Sequence, residues 1–305
     1  MLTYLARRSL LVIVTIAGVM TILFGLQKLA GDPTIFLLPP EATEAERLSL
    51  LHRLGLDRPL IVQYLSFLAN AATGDIGLSW KYNEPALPIV LEAFPATILL
   101  ATSALAFSIL TAVPLGILAA LRRDTWVDTF ASGIAVIGQA MPVYWSGLLF
   151  ILLFSTTLRW LPSMGGEGWL ALILPAVTLG LNTMARIMRI TRSSMLDVLG
   201  QDYVRTVRAK GIPEYAILFK HGLRNAAVPI VALIGLQLGG LLGGAVLIET
   251  VFSWPGVGRL AVNAVYSRDF PLVQSVALIV TVTFSLVNMF VDVLCATLNP
   301  QIRLN

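Results

Sequence analysis

The chain has 305 residues, 57% of them hydrophobic and only 12% charged, with a formal net charge of +4 and one cysteine, Cys295. Its mean hydropathy is +0.83 and its pI about 9.4. A soluble domain carries about a quarter charged residues, so this composition excludes a soluble enzyme, and the single cysteine excludes an internal disulfide. The basic balance fits Lys and Arg held in cytoplasmic loops of a membrane protein, not a nucleic-acid partner.

Continuous apolar runs, with no strict alternation, predict an all-α membrane protein. Six runs reach or exceed the roughly 20 residues that cross hydrocarbon: Ser9–Ala30, Ala96–Leu121, Thr129–Leu158, Trp169–Ile190, Ala226–Ile248 and Leu272–Leu298. The first follows Arg7-Arg8, and its apolar core is longer than that of a signal peptide, so an uncleaved helix is expected over residues 1–30. Residues 31–94 are too polar to span and form an outer helical insertion. There Thr43-Glu44-Ala45-Glu46 reads as a capping box opening a helix with Leu48, Leu51 and Leu54 on one face, ended by Gly55. Pro59 starts a second helix through Leu68, and Gly74-Asp75-Ile76-Gly77 breaks it.

Residues 95–305 carry the remaining five runs. Met141-Pro142-Val143-Tyr144-Trp145 should kink the third, because a proline inside a helix removes a hydrogen bond. Between the fourth and fifth lies the most basic loop, residues 191–225. Within it Asp202 is a good N-cap, Tyr203, Val204 and Val207 make a narrow apolar stripe, Arg205, Arg208, Ala209 and Lys210 complete a short helix, and Gly211 suits its left-handed end. A helix that short is marginal alone in water and needs its own bundle or a partner to pack against. In the fifth run Gly235, Gly239, Gly240, Gly243 and Gly244 form overlapping small-xxx-small pairs, which suit packing within the chain or against a second membrane subunit. Trp254, Pro255, Gly256, Arg268 and Asp269 belong to a Gly-rich, irregular, outward segment before the last run.

With the N-terminus inside, the cytoplasm receives Arg7, Arg8, Arg122, Arg123, Arg303 and the basic block from Arg186 to Arg224, which leaves both termini cytoplasmic. Gln139, Asn182, Gln237, Asn288 and Asp292 are polar residues inside the runs, and Asp292 is expected to pair with a basic residue near Arg186 and Arg189. No phosphate loop, Cys/His cluster or Ser-His-Asp set can be assembled, and His52 and His221 fall on opposite sides.

Residues Met195 to Pro229 resemble the cytoplasmic "EAA" loop of ATP-binding-cassette importer permeases, in the form of the dipeptide/oligopeptide/nickel family. That form reads roughly DYVRTARAKG, then HxLRNA, then a proline; here Asp202–Gly211 is followed by His221-Gly222-Leu223-Arg224-Asn225-Ala226 and Pro229. Gly31-Asp32-Pro33, Leu54–Pro59, Gly74–Ser79, Phe94–Thr97, Pro114-Leu115-Gly116 and Glu249–Gly258 are similar to further landmarks of the family, in the same order. Two departures stand out: Asn299-Pro300-Gln301 replaces a usual Asp-Pro-Arg, and Arg205-Thr206-Val207 stand where general importers carry the acidic motif.

The resemblance implies a type I importer (MetI-like) fold with six transmembrane helices in the bacterial inner membrane. It also implies peptide import, with nickel, glutathione or other small solutes as alternatives. The short helix from Asp202 to Gly211 would dock on one of two ATPase subunits, which carry the ATP and Mg; this chain carries no cofactor. A second, homologous permease and a periplasmic or lipid-anchored solute-binding protein complete the expected partners, the latter facing Trp254–Gly256 and Arg268-Asp269. An ATP-independent carrier would show charged midplane residues or paired broken helices and would need no docking loop.

Overall fold

The computed structural model describes residues 2–29, 31, 34, 38–39, 41–163 and 168–298, with the side chains of 2–7 and 294–298 excepted. Asp32, Pro33, Asn299, Pro300, Gln301 and Arg303, and the side chains of Arg7 and Cys295, lie outside that set. Two compact units are formed, one from residues 1–94 with 260–285, the other from 95–259 with 286–305.

The first unit holds α1 (Leu2–Leu29), α2 (Glu44–Arg53) and α3 (Leu60–Thr73). The capping box is present: Thr43 Oγ1 accepts from the Glu46 N–H, and the Glu46 carboxylate accepts from the Thr43 N–H at 2.8 Å. That bond, the largest influence on it, holds the Glu46 carboxyl below its ordinary range. Leu54 closes α2, and α3 runs five residues past the expected Leu68 to Thr73, where Gly74 takes the left-handed conformation at φ +83°. The apolar α3 lies along α1, with Phe24 against Tyr64 and Phe67 at ring distances of 5.4 and 5.6 Å.

The second unit is organised around α7 (Leu170–Leu199), packed by α5 (Trp126–Ala140), by α6 (Val143–Phe150), which continues as a π-helical stretch Ile151–Thr157, and by α10 (Arg224–Val251). Its core is rich in alanine, including Ala112, Ala119, Ala135 and Ala185, beside Ile187, Met188 and Met195. Without a hydrophobic force between helices in lipid, such small residues gain van der Waals contact by letting backbones come close. In α4 (Ala86–Leu121) and α7 this is explicit: a Cβ at Gly180 would lie 2.6 Å from the Ala104 carbonyl, and one at Gly116 2.7 Å from Thr191.

Among the described residues five helices are long and apolar enough to cross a membrane, and the bent pair α5/α6 makes six if counted as one span. Here the kink expected at Met141-Pro142 is a break: Met141 is extended at ψ 129°, and the flanking helices meet at 108°. Proline removes the hydrogen bond, but packing of both pieces against α7 sets so large an angle. A second difference concerns the segment after Trp254. Instead of being irregular throughout it contains α11 (Val257–Tyr266), ahead of α12 (Phe270–Leu298). Val257, Leu260, Ala261 and Ala264 have helical spacing, which the neighbouring glycines disguise.

Candidate functional site

The basic loop folds into α8 (Asp202–Ala209), with Lys210 as C-cap and Gly211 in the left-handed region at φ +76°. Gln201, not Asp202, holds the N-cap position; Asp202 sits in the first turn, where its charge still complements the helix dipole, and lies 3.6 Å from Arg205. Val204 is buried, while Tyr203 and Val207 are half-buried. The Tyr203 hydroxyl donates to the His221 carbonyl at 3.2 Å and accepts from Asn225 Nδ2 at 2.8 Å. Both partners belong to the next element, which runs from α9 (Glu214–Ala216) through π-helical Ile217–Leu223 into α10.

On the outward side Arg205, Thr206, Ala209, Lys210 and Gly211 are exposed. Arg208 meets Glu214 in a two-pronged pair at 2.6 and 3.2 Å, and this hydrogen bonding holds the guanidinium charged still further above its ordinary range. So α8 is fastened to its own bundle by one face and leaves the other, basic one exposed.

The root of the loop is braced by a pair that sequence reading missed. Arg192 on α7 donates from Nε and Nη2 to both oxygens of Asp128 on α5, at 2.6 and 2.7 Å. The Asp124 N–H adds a bond of 3.1 Å to the same carboxylate. About one turn earlier on α7 and three turns further along α5, Arg189 donates to Gln139 at 2.6 Å. These contacts tie α5 to α7 just before α7 leads into α8.

The glycines of α10 divide into two sets. Gly235, Gly239 and Gly244 face inward: a Cβ at Gly235 would lie 2.6 Å from Val291, and one at Gly244 3.2 Å from Leu179. Gly240 and Gly243 are exposed with open space around them, between the exposed Leu236 and Leu247.

The segment after α10 closes over Glu249, a buried carboxylate that the sequence marks only as part of a family landmark. Thr97 Oγ1 donates to it at 2.6 Å and the Arg259 N–H at 3.0 Å, while Thr97 in turn accepts from the Val257 N–H at 2.8 Å. A Cβ on Gly256 would stand 2.3 Å from the carboxylate, so the glycine is required by the turn around it. Trp254 is buried with its indole donating to the Ala96 carbonyl at 2.9 Å. Asp269 is buried too, accepting from Ser79 Oγ and the Lys81 N–H and from the Leu272 N–H in the first turn of α12. Of the five residues assigned to an outward segment, only Pro255 and Arg268 are therefore exposed. A short Glu-x6-Gly-x-Gly spacing at the end of an apolar run was the available signal for the Glu249 turn.

The family described as binding-protein-dependent transport system inner membrane component matches residues 112–304, and its N-terminal companion matches residues 1–101. The chain belongs to this family of transporter membrane components. Over 306 aligned residues the permease is 42% identical to the glutathione transport system permease protein GsiC of Escherichia coli K12, with 99% of each chain covered. The same protein of Shigella flexneri matches to the same extent. Among solved structures, inward-facing conformations of the MetNI methionine ABC transporter share the fold, with TM-scores of 0.57 and 0.61 at 18% and 17% identity. They cover 69% and 71% of the permease, and 96% and 99% of the solved chains. The chain is thus a multi-span inner-membrane permease of an ABC importer with the type I architecture.

Proposed function

We propose that this permease imports short peptides, glutathione among them, and is driven by partner ATPases that dock on α8. The observation that carries this reading is the two-faced geometry of α8. Val204 and Tyr203 seat it on the bundle, and an exposed face from Arg205 to Gly211 remains for a partner that moves. A rigid helix held at the end of α7 would pass a partner's displacement into the helices packed on α7, which is how binding on one subunit biases two arrangements of another.

Both termini lie in the cytoplasm in this reading, supported by the basic loops and by six crossings with α5/α6 counted as one. The exposed Gly240 and Gly243 suit close approach of a second, homologous permease, and Pro255 and Arg268 the solute-binding protein. Peptide preference rests on the relatives named for glutathione transport.

The test is gentle purification of tagged chain from its native membrane, with mass spectrometry of its companions, for wild type, Gly211→Arg and Gly211→Ala. Both variants carry the strain of a side chain at φ +76°, in open space. Two ATPases and a second permease should accompany wild type and Gly211→Ala, with the ATPases depleted for Gly211→Arg. The chain arriving alone and folded in every case would overturn the reading.

A further inference from the structure

The first unit contains a cavity of about 650 Å³ between α1, α2, α3 and the start of α12. Its wall carries Lys28, Arg53 and Arg58, and among the described residues it carries no carboxylate. His52 also lines it, with its Nδ1 2.7 Å from Asp57. Lys28 donates to the neutral Gln63 side chain. Arg53 and Arg58 have no side-chain acceptor among the described residues. Three cations thus converge on one space; Asp57, outside the lining and paired with His52, offsets part of the Arg58 charge.

The depth of that space follows from α1. Its apolar run Arg8–Leu29 is 22 residues, about 33 Å at 1.5 Å per residue, so it crosses a hydrocarbon core of about 30 Å and ends at the interface. Tyr64 of α3 shares a hydrogen bond of 2.7 Å with Thr21, seven residues before Lys28 and so about 10 Å deeper along α1. The outward residues of α3 agree with that depth: Ile61 is 73% exposed, and Leu60 and Leu65 are exposed as well. Leu29, at the end of α1, is 84% exposed. The three cations therefore sit at the level of lipid phosphates, directly above apolar faces that need acyl chains against them.

We propose that this cavity binds the headgroup of an anionic phospholipid, its phosphate held by Arg53, Arg58 and Lys28, with its chains along α1 and α3. Guanidinium groups suit phosphate oxygens because they offer two parallel donors, and basic pockets beside membrane helices retain anionic headgroups. A free anionic solute would bring the same charge without the chains, and the test separates the two.

Intact permease complex is reconstituted into nanodiscs of phosphatidylcholine with increasing phosphatidylglycerol, then released gently for native mass spectrometry. Wild type should retain phosphatidylglycerol at a lipid fraction at least about tenfold below that needed by Arg53→Gln/Arg58→Gln. Lys81→Gln, which removes one charge outside the cavity, should match wild type. A tenfold excess of glutathione or inorganic phosphate should leave the lipid bound. Equal retention of the two lipids, an equal loss in Lys81→Gln, or displacement by glutathione or phosphate would each overturn the proposal. Both arginines are exposed, so their replacement leaves the packing of the unit intact, and single Arg53→Lys, which keeps the charge, should retain the lipid as wild type does.

Discussion

Replacing Arg192 with alanine removes the two parallel hydrogen bonds that tie α5 to α7 at the root of α8. The Asp128 side chain is 8% exposed and that of Arg192 28%, so the two partners are not equivalent. Truncating one member of a buried pair costs about 3–5 kcal/mol when the other is stranded. Asp128 would keep the Asp124 N–H and the Ser132 hydroxyl, which places Arg192→Ala at about 3 kcal/mol. Asp128→Ala should cost less, about 2 kcal/mol, because the long arginine can swing its head toward water. The double variant should then lose only about 3 kcal/mol, giving a coupling of about 2 kcal/mol. Equilibrium unfolding in mixed micelles, followed by tryptophan fluorescence, measures all three. Losses that add within about 0.5 kcal/mol would refute the argument, because they would mean that the pair is spent against desolvation and solvent alone.

Four further variants test the same geometry. Gly256→Ala should destabilise the permease by about 1–3 kcal/mol or more, since its Cβ would overlap the Glu249 carboxylate, and thermal melting in detergent should show it. Val204→Ala should loosen α8 by about 2 kcal/mol through lost apolar contact, raising amide exchange from residue 203 to 209 while leaving α7 protected. Gly240→Leu should leave the isolated chain as stable as wild type but reduce its recovery with a second permease. Gly235→Leu, which would strike Val291, should lower the stability of the chain itself.

Much of this was legible because a bilayer reads sequence in one dimension: an apolar run of sufficient length must cross or be buried. The short helix was legible for a different reason. Asp202 and Gly211 mark its ends, and the open space and positive φ at Gly211 are what a glycine there signals. What could not be read depends on distant partners. Asp128 and Arg192 are 64 residues apart, and Thr97 and Glu249 152 apart. A proline predicts an interruption at Met141-Pro142 but not a bend of 108°. The glycines of α10 share one repeat in sequence, yet packing against Val291 and Leu179 turns some inward and leaves Gly240 and Gly243 outside. Burial likewise withdrew Trp254, Gly256 and Asp269 from the surface, because their polar groups complete turns within the chain.

The claim that α8 is the seat of an ATPase is tested most directly by cross-linking from its exposed face. Arg205→Cys, in a chain carrying Cys295→Ser, is treated with a short cysteine-to-amine reagent in native membranes, and the adducts are sequenced. The account predicts a nucleotide-binding ATPase joined to residue 205 and a yield that changes when ATP is added. Reproducible labelling of residue 205 without any ATPase adduct, in membranes that still transport, would contradict it.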